Sequence, residues 1–224
     1  MAQAVSPAIA IIDYGMGNLR SVQKALERVG ARADIVGSPA AAESAAALVL
    51  PGVGAFGQAM ERLRREGFDA LVEDWIAGDR PFLGICLGLQ LLFSESEEFG
   101  PVAGLDLIPG RVVRFVGPAY QADGDSPGLK IPHMGWNDLE VVRPHPVAQG
   151  VPAGAMAYFV HSYYCVPDDP EWTVITTEHG LDFTSAVGRG NLFASQFHPE
   201  KSGDVGLRML SSFVDLVRRR EGRG

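Results

Sequence analysis

Residues Pro81–Phe93 read PFLGICLGLQLLF, and the order of residue types within them sets the expectations for the rest of the chain. An apolar strand, Phe82–Ile85, runs into Gly84-Ile85-Cys86-Leu87-Gly88, and a helix is expected from Leu87. This is the spacing of a strand–turn–helix elbow, which presents a nucleophile above the end of an α/β sheet. The glycines two residues either side of Cys86 have a steric task, because so sharp a turn crowds any Cβ there. A helix N-terminus beneath Cys86 would favour thiolate over thiol. The Leu87 backbone N–H would be placed to donate to a developing oxyanion. Cysteines in cores are ordinarily inert. Cys165, in HSYYCV with no glycine turn around it, reads that way, whereas the elbow marks Cys86 as a nucleophile.

Upstream, strand and helix signals alternate. Ala8–Asp13 is an apolar run that ends in Tyr14-Gly15-Met16-Gly17. Leu19, Val22, Leu26 and Val29 then recur at helical spacing, with Gly30 as the C-cap. A weaker strand follows at Ala33–Val36, a short helix at Ala40–Ala47, and a buried strand at Leu48–Leu50 that enters Pro51-Gly52-Val53-Gly54. One helix is expected over about Gln58–Ala77. Downstream of about Leu107 the pattern changes to short strands rich in β-branched and aromatic residues: Arg111–Phe115, Asp138–Val142, Met156–Val160, Thr173–Thr177, Phe183–Val187 and Leu192–Phe197. Gln121–Gly128 reads as an exposed loop, and Leu207, Leu210, Phe213 and Val217 mark a final amphipathic helix.

Alternation of this kind implies an α/β fold with an open, mostly parallel central sheet, helices on both faces, and an antiparallel strand section in the second half. Ligands bind such sheets beyond the carboxyl ends of the strands. Three glycine-rich loops follow strands in that way: Gly15–Gly17, Gly52–Gly54 and Gly84–Gly88. No repeat or linker divides the chain, so a single domain, ordered from about residue 8, is expected across its 224 residues.

Composition narrows the chemistry. The chain is 46% hydrophobic and 21% charged, and its formal net charge is −8, which argues against nucleic acid or an anionic membrane as partner. Arg218, Arg219 and Arg220 suit a solvated helix end. Two cysteines are too few for a disulfide framework, and no metal-binding pair is present, so neither metal nor cofactor is expected. Met1–Ala8 lacks the pattern of a secretory leader, and no apolar run approaches a membrane span of about 20 residues. A soluble, reducing, cytoplasmic setting is the expectation.

A thiol nucleophile needs a base, and the base needs a third group to hold its tautomer. Five histidines compete. His198, in Gln196-Phe197-His198-Pro199-Glu200, follows a strand directly and has Glu200 within reach two residues on. His145 and His179 read as residues of exposed turns. His133 and His161 stand in unusual sequence, so spacing alone leaves the choice of base open.

GICLGLQ around Cys86, PGVGAF after a strand, and QFHPEKSG near the C-terminus resemble the class I, or triad, glutamine amidotransferases. DYGMGN at Asp13–Asn18, KIPHMGWN at Lys130–Asn137 and YFVHSYY at Tyr158–Tyr164 further resemble one branch of that family, the glutaminase subunits of imidazole glycerol phosphate synthases. The likeness covers nearly the whole chain. It implies Cys86 as nucleophile, His198 as acid/base and Glu200 as the carboxylate that orients it. Val53 or Gly54 would complete an oxyanion hole with Leu87, after reorientation of the Val53 peptide. Gly52, Gln90, Ser162 and Tyr163 would contact L-glutamine. One of Glu97 and Glu98 would hold the substrate ammonium, and alignment from Cys86 favours Glu98.

The same likeness implies a partner, a (β/α)₈ cyclase subunit that uses the ammonia. Asn18, Met134, Trp136, Asn137, Tyr158 and Lys201 are the expected interface or gate positions. Glutaminase activity would be low until the cyclase and its ligand bind. Other triad amidotransferases share the Cys and His-x-Glu parts, but KIPHMGWN and DYGMGN favour this branch. A cysteine hydrolase of another family would use an elbow without PGVGAF or HPEKSG, and a binding module would not need Cys86, His198 and Glu200 together.

Overall fold

The computed structural model describes residues 6–123 and 127–222. The expectations for Met1–Ala8 and for the loop at Gln121–Gly128 therefore fall partly outside the described residues. Strand β1 (Ala8–Ile12) leads through helix α1 (Leu19–Arg28) to β2 (Arg32–Val36), then to β3 (Ala47–Gly52). Helices α2 (Phe56–Arg65) and α3 (Phe68–Ala77) follow, then β4 (Phe82–Cys86), a single helical turn α4 (Leu87–Gln90), β5 (Phe93–Ser96), β6 (Val102–Ala103) and β7 (Ile108–Arg114). The second half supplies β8 (His133–Asp138), β9 (Glu140–Val141), β10 (Met156–His161), β11 (Tyr163–Pro167), β12 (Thr173–Glu178), β13 (Asp182–Arg189), β14 (Leu192–Ser195) and helix α5 (Gly203–Glu221).

The main sheet runs in the order β2-β1-β3-β4-β14-β13-β11-β7-β5-β6, with β12 and β9 attached beyond β13. Every neighbouring pair from β2 to β14 is parallel, and β14, β13, β11 and β7 are mutually antiparallel. β8 and β10 form a separate antiparallel pair. The mostly parallel centre with an antiparallel extension matches the expected architecture.

Period-two alternation divides the core. Ile9, Ile11, Val49, Leu83 and Ile85 join the cluster that contains α1 and α5, including Val22, Leu26, Leu210 and Phe213. Ala10, Ile12, Leu48, Leu50 and Phe82 turn to the other face, against Phe56, Met60, Leu63, Phe68 and Trp75 of α2 and α3. Each such fully buried aliphatic or phenyl side chain contributes about 1.5–3 kcal/mol. Helices therefore cover both faces because successive strand residues present apolar groups to each side.

Several boundaries differ from expectation. The helix read over Gln58–Ala77 is two helices, because Gly67 stands between them with φ 72 in the left-handed region. The apolar spacing persists across the break because both helices pack on one face. The helix read over Ala40–Ala47 is one 3₁₀ turn, Pro39–Ala42. The alanines beyond it are drawn to the sheet: Ala46 N–H donates to Ala8 O at 2.7 Å, and Ala47 opens β3. The helix from Leu87 ends after Gln90, since Phe93 begins β5 alongside β7. Asp138–Val142 is split by Leu139, whose N–H turns to Ala155 O. Strand β11, hidden in the aromatic run Tyr163–Val166, lies between β7 and β13 and is not among the expected strands.

Candidate active site

Register brings the site together. Gly52, the last residue of β3, lies opposite Cys86, the last residue of β4, and Ser195 at the end of β14 lies opposite Ile85. The loops after these three strands, at Val53–Gly54, Leu87–Gly88 and Gln196–Glu200, therefore emerge at one level of the sheet. Cys86 itself has φ 55 and ψ −107, a conformation sparsely populated for a residue with a side chain. The flanking glycines make the turn feasible. A Cβ at Gly84 would lie 2.8 Å from Ala194 Cβ, and one at Gly88 would overlap the Leu50 carbonyl oxygen. Helix α4 is only one turn long, so its dipole offers Cys86 less than the longer helix expected there.

His198 is 2% exposed in its side chain and Glu200 1%, and the imidazole Nδ1 stands 2.8 Å from Glu200 Oε1. An ionised carboxylate only accepts, so Nδ1–H donates and Nε2 is presented to Cys86. Nε2 is buried without a hydrogen-bond partner, and the His198 ring lines the same cavity as Cys86. Burial by itself lowers the His198 pKa. Its neighbours Cys86 and Glu200 together outweigh burial and raise the value to about 9, which favours the protonated imidazole at neutral pH.

A cavity of about 320 Å³ opens over the sulfur. Its walls include Val53, Gly54, Cys86, Leu87, Gln90, Glu98, Ser162, Tyr163 and His198. Of the expected contacts only Gly52 is missing from the wall. It lies buried beneath, where a Cβ would collide with the Tyr14 hydroxyl. The adjacent acids separate cleanly. Glu98 faces the cavity and accepts from the Phe56 N–H at the start of α2 at 2.6 Å. Glu97 turns away and accepts from the Arg114 N–H at 2.5 Å.

The remaining histidines are not bases for Cys86. His161 Nδ1–H donates to Tyr163 O at 2.8 Å, so its Nε2 accepts from His133 Nδ1–H at 3.0 Å. The Asn137 amide then donates to His133 Nε2 at 3.1 Å. Burial, and then the neighbouring His179, pull His133 down to about 4, and burial takes His161 to about 3, so both are neutral. His145, expected in an exposed turn, is 5% exposed; its Nδ1 accepts from the Val147 N–H and its ring packs on Phe193. His179 is half-buried and stacks on His133. Cys165 is buried in β11, and burial holds its thiol well up from the usual range. Gln196 and Tyr14, which spacing did not single out, stand beside Cys86. The signal for Gln196 was a long polar residue within an otherwise apolar strand end.

Of the expected interface residues, Met134, Trp136, Tyr158 and Lys201 lie at or beside the β8–β10 pair. Trp136 pairs across the ladder with Tyr158, their rings 6.3 Å apart, and Lys201 Nζ lies 5.8 Å from the Tyr158 ring. Met134 and Trp136 are 64% and 53% exposed, unusually high for such side chains. Asn18 is exposed at the start of α1. Asn137 differs: it alternates with Trp136 along the strand, so its amide turns inward to His133 and Glu178 O.

Residues 10–216 match the family model for glutamine amidotransferase class-I. The chain is 55% identical over 208 residues to the imidazole glycerol phosphate synthase subunit HisH of Syntrophotalea carbinolica, covering 93% of this chain and 100% of that one. It is 52% identical to the subunit of the same name from Moorella thermoacetica, with coverage of 94% and 95%. Among solved structures it resembles PurLQS from Thermotoga maritima, with a TM-score of 0.71 at 18% identity and coverage of 94% and 99%. The glutaminase domain of CTPS from Trypanosoma brucei gives a TM-score of 0.63 at 16% identity, with coverage of 94% of each chain; both likenesses speak to fold alone. With a cysteine elbow, a His–Glu pair and nearly full-length identity above one half, the chain belongs to the class-I glutamine amidotransferases and, within them, to the HisH subunits.

Proposed function

We propose that this chain is the glutaminase of an imidazole glycerol phosphate synthase, hydrolysing L-glutamine at Cys86 and passing ammonia to a cyclase subunit. The observation that carries the proposal is the convergence of Cys86 and His198, the latter backed by Glu200, on one cavity that also holds Glu98, Gln90 and the Val53–Gly54 loop. Thiolate attacks the carboxamide carbon, and the oxyanion is received by the Leu87 N–H and an amide of Val53 or Gly54. Protonated His198 gives its proton to the departing ammonia, while Glu200 keeps the ring oriented. Water activated by His198 then cleaves the thioester. Glu98 offers a carboxylate to the substrate ammonium, Gln90 leaves its Oε1 for a donor, and Ser162 and Tyr163 line the substrate backbone. No step calls on a metal or organic cofactor.

The partner is a (β/α)₈ cyclase, and the reaction belongs to the cytoplasm. Ammonia at neutral pH is mostly ammonium, a poor nucleophile, so its transfer needs a closed route to the acceptor. The exposed Met134 and Trp136, with Tyr158 and Lys201 nearby, supply an apolar anchor with a polar rim. Among the described residues no helix is long and apolar enough to cross a membrane.

The test pairs the chain with a cyclase subunit. Cys86→Ala is expected to abolish glutamine-dependent synthesis while synthesis from ammonium salts continues. Glutamine turnover by that variant would refute the assignment.

A further inference from the structure

The acyl transfer proposed for Cys86, His198 and Glu200 assigns no role to Gln196, yet its amide reaches the sulfur. The residue is fully buried, directly after β14, and its backbone N–H donates to Ser185 O at 2.8 Å. Its Nε2 is 3.6 Å from Cys86 Sγ, and its Oε1 is 3.0 Å from Gln90 Nε2. The orientation of both amides follows from a group with only one role. Tyr163 O can only accept, so Gln90 turns Nε2 toward it, at 3.1 Å. That same nitrogen meets Gln196, which must therefore present its oxygen to Gln90. The Gln196 NH₂ is left facing the sulfur. His161 Nδ1–H holds Tyr163 O from another direction at 2.8 Å, which fixes the start of the chain of hydrogen bonds.

We propose that Gln196 is a catalytic residue whose Nε2–H donates to Cys86 Sγ whenever the sulfur is negatively charged. This rests on Cys86 being the nucleophile. The sulfur is anionic before attack and neutral in the thioester. It regains an electron pair when water has added and the C–S bond breaks. A donor that is strong toward thiolate and weak toward thioester sulfur favours the attacking thiolate over the thiol and the cleavage of the acyl-enzyme.

The other groups facing the sulfur do not duplicate this role. His198, backed by Glu200, supplies the mobile proton. Tyr14, from the β1–α1 loop, packs its buried, unpaired hydroxyl on Gly52, and no hydrogen bond joins it to the sulfur. Cys165 from β11 is a buried thiol, and Glu98 across the cavity is an acceptor. Gln196 is thus the uncharged N–H donor fixed on the sulfur by its own hydrogen-bond chain.

The experiment follows iodoacetamide labelling of Cys86 in the full chain across pH, with the labelled residue identified by mass spectrometry. Gln196→Leu removes the donor. Gln196→Glu keeps an acceptor for Gln90 but sets a carboxylate against the sulfur. At pH 7 labelling of Gln196→Leu should fall about tenfold or more, the worth of one hydrogen bond to a charged group. Its pH midpoint should move upward, and Gln196→Glu should move further. In complex with a cyclase subunit, glutamine kcat should fall, and KM with it, as the glutamyl thioester accumulates in a quench. Thermal melting checks that each variant folds, and Gln196→Glu serves if the leucine variant does not. Unchanged pH midpoints in folded variants would overturn the role of Gln196 alone. Absence of labelling at Cys86 in the parent chain would overturn the nucleophile assignment, and the proposal with it.

Discussion

Gly84→Ala, with and without Ala194→Gly, tests whether the spacing of two strands sets the geometry of the site. Gly84 and Ala194 are register partners on the parallel strands β4 and β14. An alanine at position 84 would place its Cβ 2.8 Å from Ala194 Cβ and 3.1 Å from Gly88 O. Carbon atoms rest at about 3.5–4 Å, so the strands must part by roughly 1 Å. β4 delivers Cys86 two residues later, and β14 leads to His198 four residues later. Parting the strands therefore separates Cys86 from His198, the proposed nucleophile and acid.

Overpacking of this kind costs about 1–3 kcal/mol. For a chain of this size that lowers the melting temperature by roughly 2–12 °C. A misplacement of about 1 Å at a catalytic group costs about a hundredfold in rate. Ala194→Gly alone should cost about 1–2 kcal/mol, from one lost methyl and a freer backbone. Combined with Gly84→Ala it removes the Cβ–Cβ overlap but not the approach to Gly88 O, so rescue is expected to be partial. The coupling should be about 1–2 kcal/mol in the favourable direction. Glutamate release by the complex with its cyclase subunit gives the rates, and thermal melting gives the stabilities. If Gly84→Ala turned over glutamine at the parent rate, or if the double variant equalled the sum of its singles, strand spacing would not be what positions the pair.

Three further outcomes are expected. The His198 pKa is raised in the folded state, from 6.5 to about 9. Its contribution to stability is therefore complete below about pH 6.5 and is lost as pH rises through about 9, at about 1.4 kcal/mol per unit of difference. Glu200→Gln should flatten that alkaline decline in melting temperature, and an unchanged decline would mean that Glu200 does not set it. Glu98→Gln still offers an oxygen to the Phe56 N–H, so it should fold normally. Its KM for glutamine should rise about tenfold or more through loss of the charge, and an unchanged KM would detach Glu98 from the substrate ammonium. Trp136→Ala, at a 53% exposed position, should leave melting unaltered. It should weaken cyclase binding, measured by calorimetry, by about 2 kcal/mol or more; equal affinity would place the partner elsewhere.

What could be read from the sequence alone was whatever depends on neighbours along the chain. The elbow at Cys86 was legible because the steric demand on Gly84 and Gly88 is local, and the two-faced sheet because alternation in β1, β3 and β4 is local. The run Gln58–Ala77 misled for the same reason. Its apolar spacing reports the face to be buried, which α2 and α3 share, and not the turn at Gly67 that divides them.

The tertiary structure decided what depends on distant strands ending at one level. Spacing could not choose among His198, His133 and His161. The β3, β4 and β14 register places one beside Cys86 and leaves the other two bonded to each other. It could not separate Glu97 from Glu98, since one peptide bond divides them and only the partners Arg114 and Phe56 send them apart. Gln196 carried only a weak local signal, a long polar residue at an apolar strand end. Its amide gained a direction only when Tyr163, Gln90 and Cys86, from three different parts of the chain, closed around it. Sterics and periodicity act over a few residues, whereas the choice of a base or a donor is made by groups that only folding brings within hydrogen-bond reach.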